Sequence, residues 1–204
     1  MKLYRPQKGE NMMLVVDPRA RGLIFDIDGT LADTEIVHIE AWRQVLRPRG
    51  YEMTEEMFRT LTGAPTRKII AIMIEEYGWG LDPEETLMNK EKAFMELIGS
   101  VKAIEPVAAL AREYKGTLPI SLGTGGRREM ALVTIKAVGL DGIFDILVSA
   151  EDVVRHKPEP DTFLECARLM GVAPELCQVF EDGDRGIEAA KRAGMIVTDV
   201  RPFI

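Results

Sequence analysis

The chain has 204 residues, of which 46% are hydrophobic and 29% charged, and a formal net charge of −7. That length buries a full core, as one large domain or as a core with a small insert. The acidic balance without any basic block argues against nucleic acid as a partner, and no apolar run approaches the ~20 residues that span a bilayer.

The opening segment, MKLYRPQKGENMM, is polar and lacks the apolar stretch of a secretory signal, so a cytoplasmic location is expected. Residues 1 to about 20 are expected either to add a short edge strand or to remain a tail. Then comes GLIFDID, residues 22 to 28, an apolar run with Asp26 and Asp28 at its mouth. Two like charges there repel each other and lose hydration, so one is driven to take up a proton unless a partner compensates. The arrangement makes sense if a cation sits between them or if they transfer protons. From residue 34 to about 100 only helical patterns appear, with Pro65 and Pro83 at first-turn positions and Gly50, Gly78 and Gly99 at endings.

Four further apolar runs follow: 118 to 126, 143 to 150, 177 to 183 and 195 to 200. The segments between them, 127 to 139, 160 to 171 and 184 to 193, have helical periodicity. Gly171 and Gly194 stand where two of these helices stop. Alternation of this kind predicts an α/β fold, a Rossmann-like parallel sheet covered on both faces. Residues 1–33 and 100–204 form the core in this reading, and 34–99 a small helical cap inserted after the first strand. The cap then overhangs the carboxyl ends of the strands, where open α/β sheets bind ligands. Cys166 and Cys177 are not at a metal-ligand spacing and are expected to be reduced, buried thiols.

The strand ends carry the chemistry. Strand one ends in Asp26 and Asp28, strand two in GTGG with Thr124, and strand four in FEDGD with Glu181, Asp182 and Asp184, while Lys157 follows strand three. Each has an ordinary reading alone: DGT and GTGG as turns, Asp182 or Asp184 as a helix cap, Lys157 as a solvated lysine, Asp161 as the cap of the next helix. Together, at successive strand ends, they describe one site. Hard oxygen ligands suit Mg²⁺, and a lysine with a hydroxyl beside it suits a phosphoryl group.

These motifs resemble the haloacid dehalogenase superfamily of phosphotransferases: Asp26-Ile27-Asp28-Gly29-Thr30, Thr124, Lys157 in HKPEPDTF, and the acidic pair Glu181-Asp182 in FEDGDRGIEAAKRAG. The helical insert, LADTEIVHIEAW and HKPEPDTF are similar to the β-phosphoglucomutase-like branch, and most of all to its sugar-phosphate phosphatases. The resemblance implies Asp26 as nucleophile and Asp28 as acid/base, with Thr124 and Lys157 holding the transferring oxygens. It implies Mg²⁺ held by Asp26, Asp28 through its backbone carbonyl, and Asp182, with Glu181 as an outer partner. Backbone N–H groups after Thr124, at Gly125, complete the phosphate contacts.

On the first cap helix, His38 and Trp42 share a face. The family has a histidine at this position facing the site, which implies that His38 contacts the substrate or positions Asp28. LTGAPTRKI resembles the family's cap motif, so Gly63, Thr66 and Arg67 are candidate substrate residues. Thr66 stands where some members carry an arginine for a distal phosphate, which counts against a mutase. The expected function is Mg²⁺-dependent hydrolysis of a small sugar or polyol phosphate by a monomer. The alternatives are phosphoryl transfer within one sugar and a non-catalytic sugar-phosphate-binding protein. Dehalogenation does not suit an acid/base aspartate beside metal carboxylates.

Overall fold

The computed structural model describes residues 14–61 and 64–204. Five strands, β1 (Gly22–Phe25), β2 (Ile120–Gly123), β3 (Ile146–Val148), β4 (Cys177–Glu181) and β5 (Ile196–Asp199), form one parallel sheet in the order β3-β2-β1-β4-β5. β1 is central because GLIF is apolar on both sides and fully buried, as a strand covered on both faces must be. The edge strands β3 and β5 are only partly buried.

Alternation along β1 divides the packing. Leu23 and Phe25 face one apolar cluster, with Leu122 and Phe180, while Ile24 faces another with Val179, Phe163 and Cys166. Phe25 stacks on Phe180 at 4.8 Å and meets the edge of Phe144 at 5.8 Å. The first cluster is covered by α5 (Glu105–Tyr114) and α6 (Arg128–Ala137), the second by α7 (Asp161–Met170) and α8 (Asp184–Arg192). Gly171 and Gly194 follow α7 and α8 with φ of +68° and +73°, the left-handed stop their positions predict. Both cysteines are free and buried.

The order of the strands decides where chemistry is placed. The chain builds β1, β2 and β3 outward on one side, then returns to lay β4 against the other side of β1. That reversal brings the carboxyl ends of β1 and β4 together at a switch point.

Between β1 and α5 lie α1 (Glu35–Leu46), α2 (Glu55–Leu61), α3 (Thr66–Glu75) and α4 (Pro83–Leu97). They have an apolar cluster of their own, including Trp42, Leu46, Met53, Phe58, Ile70 and Met73. The other faces of α1 and α4 supply Val37, Ala41, Ala93 and Phe94 to the core cluster. The two connections to the core are tied together, with Asp33 N–H donating to Lys102 O and Ile104 N–H to Leu31 O.

Three details differ from the sequence reading. Helix α5 was not expected; its periodic apolar positions, Val107, Ala108, Leu110 and Ala111, are short and flanked by loops. Asp161 is the first residue of α7 rather than its cap, and it accepts from Arg155. Residues 14–20 form no strand but are pinned by Gln178, which accepts from Asp17 N–H and donates to Val15 O; residues 1–13 lie outside the described residues.

Phe180→Ala removes the ring that fills the space between β1 and β4 and is expected to lower unfolding free energy by about 3–5 kcal/mol. Denaturant unfolding monitored by circular dichroism measures this, and a loss below about 1 kcal/mol would contradict the packing described.

Candidate active site

The side chains beyond the sheet's carboxyl edge converge on one cavity. Asp26, Asp28, His38, Thr66, Thr124, Gly125, Lys157, Glu181 and Asp182 all line it. Two of the sequence candidates do not. Arg67 faces the surface, where it pairs with Glu84, and Gly63 lies outside the described residues. Asp184, one residue into the acidic run's continuation, is also exposed and pairs with Arg201.

Lys157 is the centre of one half of the site. Although only 2% exposed, its Nζ donates to Asp26 Oδ1 at 2.6 Å and to Glu181 Oε2 at 2.7 Å. It also lies 4.6 Å from the ring centre of Phe163. Burial alone would lower a lysine's proton affinity, but the charges of Asp26 and Glu181 hold Lys157 well above its usual range. Glu181 is fully committed, because its Oε1 accepts from Gly183 N–H at 2.9 Å. Helix α8 approaches it closely: a Cβ at Gly186 would fall 1.9 Å from Glu181 Oε2, so that position requires glycine.

Asp182 completes the cluster and accepts from Thr30 Oγ at 2.6 Å. Gly29, with φ of +81°, turns the chain here, and a Cβ on it would lie 2.3 Å from Asp182 Oδ2. Oxygens of Asp26, Glu181 and Asp182 lie within 4.8 Å of one another. Burial pushes all three carboxyls upward, Glu181 to about 8 and Asp182 to about 7, and in these two the negative charge of Asp26 adds to it. Lys157 opposes the rise but does not balance three carboxylates. The donor set is hard oxygen, compact and in excess negative charge, and it fits a small divalent cation such as Mg²⁺.

Asp28 is treated in the opposite way. Burial would raise it, but the hydrogen bonds from His38 and Thr34, with the nearby charge of Lys90, outweigh this and bring it down to about 2. Thr34 precedes α1 yet does not cap it; its hydroxyl donates instead to Asp28 Oδ1 at 2.8 Å. His38 Nε2 lies 3.2 Å from the same oxygen. His38 is itself held below its usual range by burial and by Lys90, so the imidazole is neutral at pH 7.

Lys90 on α4 was not anticipated from the sequence. It is 4% exposed, lies 5.0 Å from the ring centre of Phe94, and meets His38 Nδ1 at 2.8 Å. An ammonium only donates, so Nδ1 accepts and the ring proton resides on Nε2, aimed at Asp28. Burial lowers Lys90 to about 8, with Asp28 and Glu91 opposing. A signal existed in its spacing, since Lys90 falls on the buried stripe with Thr86, Leu87, Ala93 and Phe94. Arg185 was also missed; its guanidinium donates to Lys157 O at 2.6 Å and borders the cavity.

Thr124 directly follows β2 with its backbone N–H on Val148 O, and its Oγ accepts from Gly126 N–H at 2.9 Å. The resulting turn presents a hydroxyl and main-chain groups opposite Asp26 and Lys157.

Comparison with known proteins agrees with this geometry. A family model described as haloacid dehalogenase-like hydrolase matches residues 23–200. The chain is 42% identical over 184 residues to fructose-1-phosphate phosphatase YqaB of Escherichia coli, covering 90% of this chain and 97% of that protein. It is 31% identical over 181 residues to a phosphorylated carbohydrates phosphatase of Thermotoga maritima, covering 85% and 81%. Its fold is similar to the crystal structure of CbbY from Rhodobacter sphaeroides in complex with phosphate, with a TM-score of 0.79, 26% identity and coverage of 88% and 86%. With a family match running from β1 to the end of β5, and its site on the strand ends within that span, the chain belongs to the haloacid dehalogenase-like hydrolases.

Proposed function

We propose that the protein is a Mg²⁺-dependent phosphatase that hydrolyses a small sugar or polyol phosphate through an aspartyl-phosphate on Asp26. One observation carries the reading: two aspartates two residues apart have opposite proton affinities, Asp26 among buried carboxylates with Lys157 and Asp28 under the donors Thr34 and His38. Divergent environments of this kind assign different roles to paired acids. The phosphatase names of the relatives support hydrolysis and a phosphorylated-carbohydrate substrate.

Asp26 and Asp182, with the Asp28 backbone carbonyl, would hold Mg²⁺, which when bound neutralises phosphoryl oxygens and offsets the carboxylate charge. Glu181, with both oxygens engaged by Lys157 and Gly183, acts by fixing the lysine. In the first step a carboxylate oxygen of Asp26 attacks phosphorus, the bond from phosphorus to the sugar oxygen breaks, and Asp28 delivers its proton to that oxygen. Asp28 is ionised in the resting site, so it must first take up a proton; the nearby charge of a phosphate dianion raises its affinity for one. In the second step Asp28 takes a proton from water, the water oxygen attacks phosphorus, and the bond to Asp26 breaks to release inorganic phosphate. Lys157, Thr124 and the N–H groups of its turn stabilise the charge on the transferring oxygens in both steps. Phosphate monoester hydrolysis demands barrier reductions of roughly 20 kcal/mol, which requires these groups to act together with water excluded. The helices α1–α4 act as the cap that excludes it.

Phosphate release from a panel of sugar phosphates is expected with Mg²⁺ and not with EDTA, fructose 1-phosphate being among the substrates. Asp26→Asn is expected to abolish release while keeping the native circular dichroism spectrum. Retained turnover in that variant would remove Asp26 as the nucleophile. Conversion of β-glucose 1-phosphate only after a sugar bisphosphate is added would make the protein a mutase.

The Lys90–His38–Asp28 chain generates a pH dependence. Lys90 carries its charge below about 8 and loses it above. The neutral amine no longer enforces the tautomer that donates to Asp28, so kcat/KM is expected to fall as pH rises through about 8, reporting the free enzyme. In Lys90→Met that alkaline limb is expected to vanish from a kcat/KM profile that is lower throughout. An unchanged limb in the variant would assign it to another group.

A further inference from the structure

Helix α4 reaches toward the core with two consecutive side chains. Lys90 turns to His38, and Glu91 turns to Arg127, whose Nη1 donates to Glu91 Oε2 at 2.5 Å. Arg127 directly follows Gly125-Gly126 and immediately precedes α6. Apart from His38–Asp28, this is the side-chain ion pair that joins α1–α4 to the α/β core among the described residues.

The pair is asymmetric. Glu91 is nearly buried, its side chain 15% exposed, whereas Arg127 is 42% exposed. Glu91 Oε1 is buried with no hydrogen-bond partner among the described residues, so the carboxylate's direct ion-pair contact is the one Arg127 makes at Oε2. Arg127 is in turn braced by the core: its Nε lies 3.4 Å from Glu151 Oε1, while Glu151 Oε2 accepts from Arg128 N–H at the start of α6. The arginine is thus a fixed receptor on the turn that carries Thr124, and Glu91 is the ligand the cap brings to it. A largely buried carboxylate that loses its cation gains by regaining water, which favours displacement of α4 away from the turn.

We propose that Glu91 and Arg127 are a positioning pair that holds the cap shut against the Thr124–Gly126 turn. In doing so they set the register of Lys90 and His38 over Asp28. The kinetic consequence rests on the phosphatase reading; the effect on cap position does not.

The test uses spin labels on Met88→Cys in α4 and Leu132→Cys in α6, both exposed positions, in the full chain without substrate. Glu91→Gln and Arg127→Gln are each expected to extend the inter-label distance distribution. Arg127→Gln should do so more strongly because it strands the carboxylate. In parallel, kcat/KM is expected to fall about tenfold in either variant, and the double variant to be no worse than Arg127→Gln alone, as contacting residues behave. Arg127→Lys, which keeps the charge, should retain the short distance and provides the comparison if Arg127→Gln fails to fold. Unchanged distances in both Gln variants, or strictly additive kinetic losses, would overturn the proposal. Longer distances in a protein that releases phosphate from no sugar phosphate would leave the latch standing and remove the phosphatase reading instead.

Discussion

Everything at this site depends on keeping several carboxylates buried together. Asp26, Glu181 and Asp182 lie at the ends of adjacent strands with oxygens within 4.8 Å of one another, an arrangement that repels itself and forfeits hydration. Lys157 is the cation the chain provides, placed between Asp26 and Glu181 by a loop that Arg185 holds through the Lys157 carbonyl. Two glycines exist to let the cluster close: one where the chain turns past Asp28, the other where α8 crosses Glu181. A buried ion network contributes little net stability and is costly to break. Its persistence is therefore best understood as preorganisation for a ligand that is itself charged.

The same logic separates the two aspartates of the first motif. Asp26 faces the sheet and its negative neighbours, whereas Asp28 faces the helical block, where every contact is a donor or a positive charge: Thr34, His38 and, behind it, Lys90. The apparent waste of two like charges at one strand end is resolved by direction. Strand alternation alone would leave residues two apart on one face. The turn that follows β1, where Thr30 N–H and Leu31 N–H donate to Ile27 O, takes Asp28 out of that alternation and into different electrostatic surroundings. In the proposed function the first would meet a metal and a phosphorus atom, and the second would exchange protons with a leaving group and a water.

The core half of this site was legible in the sequence because its parts are short contiguous motifs at predictable strand ends. Asp26, Asp28, Thr124, Lys157, Glu181 and Asp182 need only the alternation of strand and helix to be placed together, and the parallel sheet meets that requirement. The cap half was legible only in part. His38 lies near the first motif and could be found by its helix face, but Lys90 is separated from it by 52 positions, and its inward direction depends on how α4 packs on α1. Its place on a buried stripe was the available signal. Arg67 and Arg185 show the limit from both sides: Arg67, a candidate substrate residue by sequence, pairs with Glu84 at the surface, while Arg185, which no motif singled out, borders the cavity. Helix α5 escaped notice for a simpler reason, since its ten residues begin directly after the connection from α4 and carry no polar cap.

The division between core and cap also bears on how the proposed chemistry and closure would be linked in one chain. The groups proposed to bind phosphate are fixed to the sheet, but those proposed to orient the proton carrier belong to helices whose backbone reaches the core through two connections, tied at Asp33–Lys102 and Leu31–Ile104. Thr34 sits at that tie and gives up its capping role to hold Asp28. A displacement of α1 therefore loosens the hydroxyl and imidazole donors to Asp28 together, while Lys157 keeps its grip on Asp26. In the proposed mechanism an open cap would leave Asp26 in place but Asp28 without its orientation, and it would admit water besides. On that mechanism closure would restore both conditions at once, and productive chemistry would be confined to the state in which substrate is enclosed.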